Sequence, residues 1–279
     1  MAGRVTRIAL FQSRTGIDPA ANADALVKAI AHAADGGAEM LFTPEMSGLL
    51  DRDASRARHN VRTEEDDPVL AACREACKAR GIWLHLGSLA VLAEEGKFAN
   101  RGFVIDSDGE IRATYDKIHL FDVDLPTGET WRESNIYRGG SDAVVVSGTP
   151  VGKLGLTICY DLRFPQLFQR LTDAGAEVVA VPAAFTVPTG RAHWEILLRA
   201  RAIEAGVFIV AAAQCGRHED GRETYGHSLV VDPWGTIAAD LRDSVGVGLA
   251  EIDVSRVADI RRRIPAIDHR RPVGEAVSR

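Results

Sequence analysis

No apolar run in this chain outlasts a β-strand, and strand-patterned stretches alternate with helix-patterned ones from one end to the other. The longest runs, Val178 to Phe185 and Gly206 to Ala213, fall far short of the ~20 residues that a helix needs to cross a bilayer. Val5 to Gln12 reads as a strand, Asn22 to Asp35 as a helix with Ala and Leu at helical spacing, Glu39 to Thr43 as a strand, and Val69 to Arg80 as a helix. Ile82 to Val91 and Phe98 to Asp106 read as paired strands about a turn at Glu94-Glu95-Gly96, and Asp106-Ser-Asp-Gly109 turns the chain into Ile111 to Tyr115. The predicted class is α/β (α+β) with mixed sheet pairing.

An internal echo narrows the topology. Ala33-Ala-Asp-Gly-Gly-Ala-Glu-Met-Leu-Phe-Thr-Pro44 and Leu171-Thr-Asp-Ala-Gly-Ala-Glu-Val-Val-Ala-Val-Pro182 align at a constant offset of 138 residues. Each reads as helix end, Gly, Ala-Glu, strand, Pro. Chance similarity between two helix–Gly–strand units is one explanation. The other is a two-fold pair of halves, each contributing one sheet with outer helices, so that the strand ends meet in one cleft. No Pro/Ser/Gly-rich linker interrupts residues 5–253, which predicts one domain over 1–279, with a C-terminal helix and tail at 254–279. The arginines of that tail suit a solvated or subunit-contacting segment.

A net charge of −6 offers no general attraction to nucleic acid or an anionic membrane. The N-terminal segment lacks the apolar core of a signal peptide. The four cysteines (Cys73, Cys77, Cys159, Cys215) make no disulfide framework, so the expected setting is a reducing cytoplasm. Cys73 and Cys77 share a helix face, but no second pair has ligand spacing, so core packing is expected and no metal site. Cys215 ends an apolar run without a helix after it or a base beside it, and reads as packing.

Cys159 is different. It stands where the apolar pattern Leu154-Gly-Leu-Thr-Ile meets a helix pattern. A thiol there faces the donor end of the helix, which favours thiolate; the bland alternative is a small buried hydrophobe. Glu45 follows Met40-Leu-Phe-Thr-Pro, and Lys117 follows Ile111-Arg-Ala-Thr-Tyr-Asp. Each alone is an ordinary loop charge. Together they supply a nucleophile, a base and a cation, which is what acyl transfer through a thioester requires. Glu45 would take the thiol proton, Cys159 would attack the amide carbon, and the Lys117 ammonium and the Tyr160 N–H would stabilise the oxyanion.

Phe42-Thr-Pro-Glu45-Met, Tyr115-Asp-Lys117-Ile-His-Leu-Phe-Asp122 and Ile158-Cys159-Tyr-Asp-Leu-Arg163-Phe-Pro resemble, in order, the three signature motifs of the nitrilase (carbon–nitrogen hydrolase) superfamily. The resemblance runs over residues 5–272. It implies a four-layer α-β-β-α sandwich, two mixed β-sheets face to face with helices outside, usually dimeric and without metal or cofactor. It gives Glu45, Lys117 and Cys159 the roles of base, cation and nucleophile. Thr130-Trp-Arg-Glu133-Ser-Asn resembles the segment bearing a second glutamate, so Glu133 joins them.

The segments around His193-Trp194, Cys215-Gly-Arg217-His218 and Tyr225-Gly-His227-Ser228 resemble the Nit branch, although Arg191 stands where a proline is expected. That resemblance implies an amide substrate bearing carboxylates, cleaved at a terminal amide with release of ammonia. Deaminated glutathione leads, followed by the ω-amidase substrates α-ketoglutaramate and α-ketosuccinamate, then N-carbamoyl amino acids. Arg163, His193, Arg217 and Tyr225, together with Tyr160, are the expected substrate contacts. A homodimer that binds a small-molecule amide but no nucleic acid or membrane completes the expectation. A thiol redox sensor or a silent binding protein is the alternative from another class.

Overall fold

In the computed structural model, which describes residues 5–93, 96–125 and 128–278, the two halves repeat one scheme. The first half runs β1 (Val5–Gln12), α1 (Pro19–Asp35), β2 (Met40–Phe42), α2 (Ala54–Asn60), α3 (Pro68–Arg80), β3 (Trp83–Leu92), β4 (Phe98–Ile105) and β5 (Ile111–Asp116). Three short strands follow, β6 (Asp122–Asp124), β7 (Thr130–Arg132) and β8 (Tyr137–Arg138). The second half runs β9 (Val145–Thr149), β10 (Gly152–Leu156), α4 (Pro165–Asp173), β11 (Val178–Ala180), α5 (Val187–Thr189), α6 (Glu195–Ala205), β12 (Phe208–Ala211), β13 (Cys215–Arg217), β14 (Glu223–Tyr225), β15 (Leu229–Val231) and β16 (Ile237–Asp240). Then come β17 (Gly246–Asp253) and α7 (Ser255–Arg263), with an irregular tail after it. Residues 94 and 95 of the expected turn lie outside the described residues.

One sheet has the order β17-β1-β2-β3-β4-β5, with β8 also paired to β4, and the other the order β9-β10-β11-β12-β15-β16. Read from the β17 and β9 edges, the pairings have the same sense in both: antiparallel, parallel, parallel, antiparallel, antiparallel. β2 and β11 hold equivalent places and begin 138 residues apart, the offset of the sequence echo.

Strand alternation sorts the layers. Ile8 and Leu10 of β1 and Met40 and Phe42 of β2 face the second sheet, in one cluster with Leu154, Leu156 and Val178. Their neighbours Ala9, Phe11 and Leu41 face the other way, onto Leu26 and Ile30 of α1 and Leu70, Cys73 and Cys77 of α3. Cys73 and Cys77 are thus core residues. On the far side, Phe168 of α4 and Leu198 of α6 cover the second sheet. The helices are delimited by local chemistry: Asp67 caps the N–H groups of Val69 and Leu70 ahead of Pro68 at the first position of α3, and Gly81 closes it in the left-handed region. The result is the expected α-β-β-α sandwich.

Gly87 lets the two sheets meet where it matters. A Cβ there would lie 2.1 Å from the Thr43 carbonyl oxygen, 2.4 Å from that of Pro44 and 2.6 Å from Cβ of Pro182. The chain just beyond β2 and just beyond β11 therefore converges on a backbone with no side chain.

Candidate active site

Glu45, three residues beyond β2, and Cys159, three beyond β10, are brought together at that convergence. The Glu45 carboxylate is buried. Its Oε1 accepts from Lys117 Nζ and from Asn100 Nδ2, both at 2.9 Å, and its Oε2 accepts from the Ala184 N–H at 2.9 Å. The Cys159 thiol lies beside the same carboxylate and interacts with it electrostatically. Lys117, one residue past β5, also donates to both oxygens of Glu133, at 3.1 and 2.9 Å. Glu133 opens a short 3₁₀ turn after β7 and is held by the Phe121 N–H at 2.7 Å. All four residues expected from the motifs thus form one connected group.

Two polar residues at the site were not among the expected ones. Asn100, inside β4, donates to Glu45 and, at 3.3 Å, to Glu133, while its backbone carbonyl accepts the Lys117 N–H. An Asn inside a strand pattern was the available signal, since Asn is depleted in strands. Asp161, two residues after the nucleophile, is fully buried. It accepts from Tyr115 Oη (2.7 Å), His119 N (3.0 Å), His119 Nδ1 (2.7 Å) and Ile158 N (2.9 Å). It thereby ties the Cys159 loop to the chain on either side of Lys117.

Cys159 has φ 49°, and its N–H donates to the Pro182 carbonyl at 2.8 Å. A non-glycine residue in the left-handed region marks a sharp, strained turn that presents its side chain. The next N–H, that of Tyr160, has no acceptor among the described residues.

The electrostatics correct one expectation. No α-helix starts at the thiol: a five-residue 3₁₀ turn, Cys159–Arg163, intervenes before α4. Burial pushes the Cys159 thiol well above its ordinary pKa, and the Glu45 carboxylate pushes it further, with Lys117 opposing. Burial also raises the Glu45 carboxyl, but the Lys117 ammonium and its hydrogen bond outweigh that and leave it below its ordinary value. Burial pulls Lys117 down, yet Glu133 and Glu45 together hold it well above the usual amine range. The resting site is a thiol beside a carboxylate, with Lys117 as a fixed ammonium. Passing the proton from sulfur to Glu45 leaves the net charge of the buried site unchanged, whereas losing it to solvent adds a buried negative charge.

These groups lie in a cavity of about 530 Å³ whose rim includes Arg52, Trp131 and Arg222. Tyr160 lines it as expected. Arg163, His193, Arg217 and Tyr225 do not. Arg163 lies over the Phe185 and Tyr160 rings (5.7 and 6.0 Å) and donates to His193 Nδ1 at 3.2 Å. Tyr225 stacks on His227, and Arg217 sits across the β13–β14 hairpin from Glu223. Sequence proximity to the motifs did not reveal that Arg217 and Tyr225, on this hairpin, and Arg163 and His193, held to one another, lie outside the cavity. Cys215 is buried with its Sγ against the Asp243 carbonyl, also outside the cavity.

Comparison with known proteins agrees with this arrangement. The family model for carbon-nitrogen hydrolase matches residues 7–262. A Yersinia enterocolitica protein named deaminated glutathione amidase is 44% identical over 246 residues, which are 87% of this chain and 85% of that protein. Among solved structures, the Caenorhabditis elegans NitFhit protein superposes with a TM-score of 0.89 at 39% identity, over 97% of this chain and 66% of that one. An amidase from Nesterenkonia sp. AN1, solved after acrylamide had added to its active-site cysteine, gives a TM-score of 0.75 at 29% identity over 93% of this chain and 98% of that one.

Proposed function

The chain belongs to the carbon–nitrogen hydrolase family and is an enzyme acting on amides; from that premise we propose that it hydrolyses deaminated glutathione through a thioester on Cys159. The observation that carries the mechanism is Glu45, whose one carboxylate holds Lys117 and the Ala184 N–H beside the Cys159 thiol. Glu45 takes the proton from sulfur as Cys159 attacks the amide carbon. The oxyanion is met by the Tyr160 N–H and by Lys117, while Glu133 and Asn100 keep Lys117 and Glu45 in register. Collapse breaks the C–N bond, and Glu45 returns the proton to the departing amine. Water, deprotonated by Glu45, then attacks the thioester, releasing the acid and restoring the thiol.

The name borne by the Yersinia relative supports the choice of substrate. Deaminated glutathione carries a 2-oxoglutaryl group on the cysteine nitrogen, so its hydrolysis yields 2-oxoglutarate and cysteinylglycine. The ammonia expected of a terminal amide is instead the product of the rival primary amides, such as α-ketoglutaramate. The test is chromatographic quantification of 2-oxoglutarate and cysteinylglycine from wild type beside Cys159→Ala. Equimolar products that vanish in the variant are expected; no turnover by wild type at high enzyme concentration would sink the substrate assignment.

We also propose a homodimer. Ile196 and Ile203 of α6, Trp234 and Ile264 are each more than half exposed, and three of them border one shallow apolar groove. Large exposed apolar side chains in such proximity mark an interaction face.

A further inference from the structure

The cavity rim carries cations that the chemistry above does not use. Arg52 and Arg222 both lie over the ring of Trp131, at 5.6 and 5.2 Å from its centroid. A third rim arginine, Arg132, is already committed to Asp124 through two bonds of 2.8 and 3.0 Å. The Arg52 guanidinium meets no carboxylate among the described residues. Arg222 spends only its Nε, on Asp220 at 2.6 Å. The Asp220 side chain is fully buried and also accepts the backbone N–H groups of Arg52 (2.9 Å) and Arg222 (3.0 Å), so one carboxylate locks both loops together. Of the other acids lining the cavity mouth, Asp51 is spent on Arg56 through bonds of 2.6 and 2.8 Å, while Glu129 and Glu223 are exposed and show no such tether among the described residues.

Arg52, Trp131 and Arg222 line the same cavity as Glu45, Lys117 and Cys159, so a substrate seated at the thiol shares one enclosure with these cations.

We propose that Arg52 and Arg222, seated on Trp131, form a carboxylate subsite for the leaving amine, so that the enzyme prefers amides whose amine product ends in a carboxylate. A planar guanidinium fork matches a carboxylate, and the indole face keeps it flat and oriented. This rests on the proposed reaction, in which cysteinylglycine, the leaving amine, ends in one.

The experiment measures kcat/KM for deaminated glutathione, for its C-terminal carboxamide and for α-ketoglutaramate, with wild type, Arg52→Ala and Arg222→Ala. The quantity read is the preference for deaminated glutathione over α-ketoglutaramate. It should fall about 10–100-fold in Arg52→Ala, the size of losing a charge-assisted pair. Wild type should show a similar loss with the carboxamide, and Arg52→Ala should distinguish carboxylate from carboxamide by no more than about two-fold. An unchanged preference in both variants, or a wild type indifferent to the carboxamide, overturns the subsite while leaving the amidase reaction standing. Wild type inactive on both glutathione-derived amides overturns the substrate assignment itself, and the subsite with it.

Discussion

A thiol that stays protonated beside its base behaves differently from one activated in advance. The Glu45 carboxylate that will accept the Cys159 proton is also part of what keeps that proton on sulfur. The two effects separate in Glu45→Gln. A thiol deprotonates as pH rises, and a neighbouring negative charge moves that step to higher pH, so removing the charge must bring it down. The Cys159 thiolate absorbance near 240 nm, read as a difference from Cys159→Ala, should thus titrate at lower pH in Glu45→Gln than in wild type. Turnover should meanwhile fall by roughly 10²–10⁴-fold. A midpoint that moves up, or a variant that keeps its activity, contradicts the role of Glu45. Glu45, Lys117 and Cys159 were legible because each is a charged or reactive group placed just beyond an apolar strand pattern. Asn100 and Asp161 were not, since their work is done through hydrogen bonds to residues between 3 and 55 positions away in the chain.

At the level of elements, most strands and helices were readable from their periodicity, with ends displaced by a few residues. What periodicity does not show is how close two elements come. Gly87 reads as one more residue of β3, yet its missing side chain makes room for Thr43, Pro44 and Pro182. Gly87→Ala should therefore force the two strand ends apart. We expect a loss of about 3 kcal/mol or more in urea denaturation, at the upper end for overpacking because the clash is with backbone rather than a movable side chain. An unchanged midpoint would show that the strand ends have slack. The helix-terminus expectation at Cys159 failed for a related reason: an apolar strand pattern followed by a helix pattern does not disclose a five-residue 3₁₀ turn between them.

For the whole molecule, the echo at 138 residues carried more than its short length suggested. It marks equivalent strands in two sheets with the same order and sense. The first half supplies Glu45, Asn100 and Lys117, and the second supplies Cys159, Tyr160 and Ala184. The surface of the second half carries the proposed dimer face, and Ile203 belongs to it, against Gly235 and in the groove lined by Trp234 and Ile264. Ile203→Glu should shift sedimentation velocity from a dimer toward a monomer, because a charge on the interface must be desolvated without a partner. A wild type that sediments as a monomer at micromolar concentration removes the dimer proposal.

β17 pairs with β1 residue for residue, Val5 opposite Asp253 through Gln12 opposite Gly246. On a ribosome, β1 is thus made long before the strand that covers it. Its outer row of N–H and C=O groups stays open until β17 has emerged, which exposes a bare sheet edge through that interval of synthesis. Premature termination anywhere before β17 would release that edge permanently, so incomplete chains should be sticky and short-lived products, whatever part of the catalytic group they already contain.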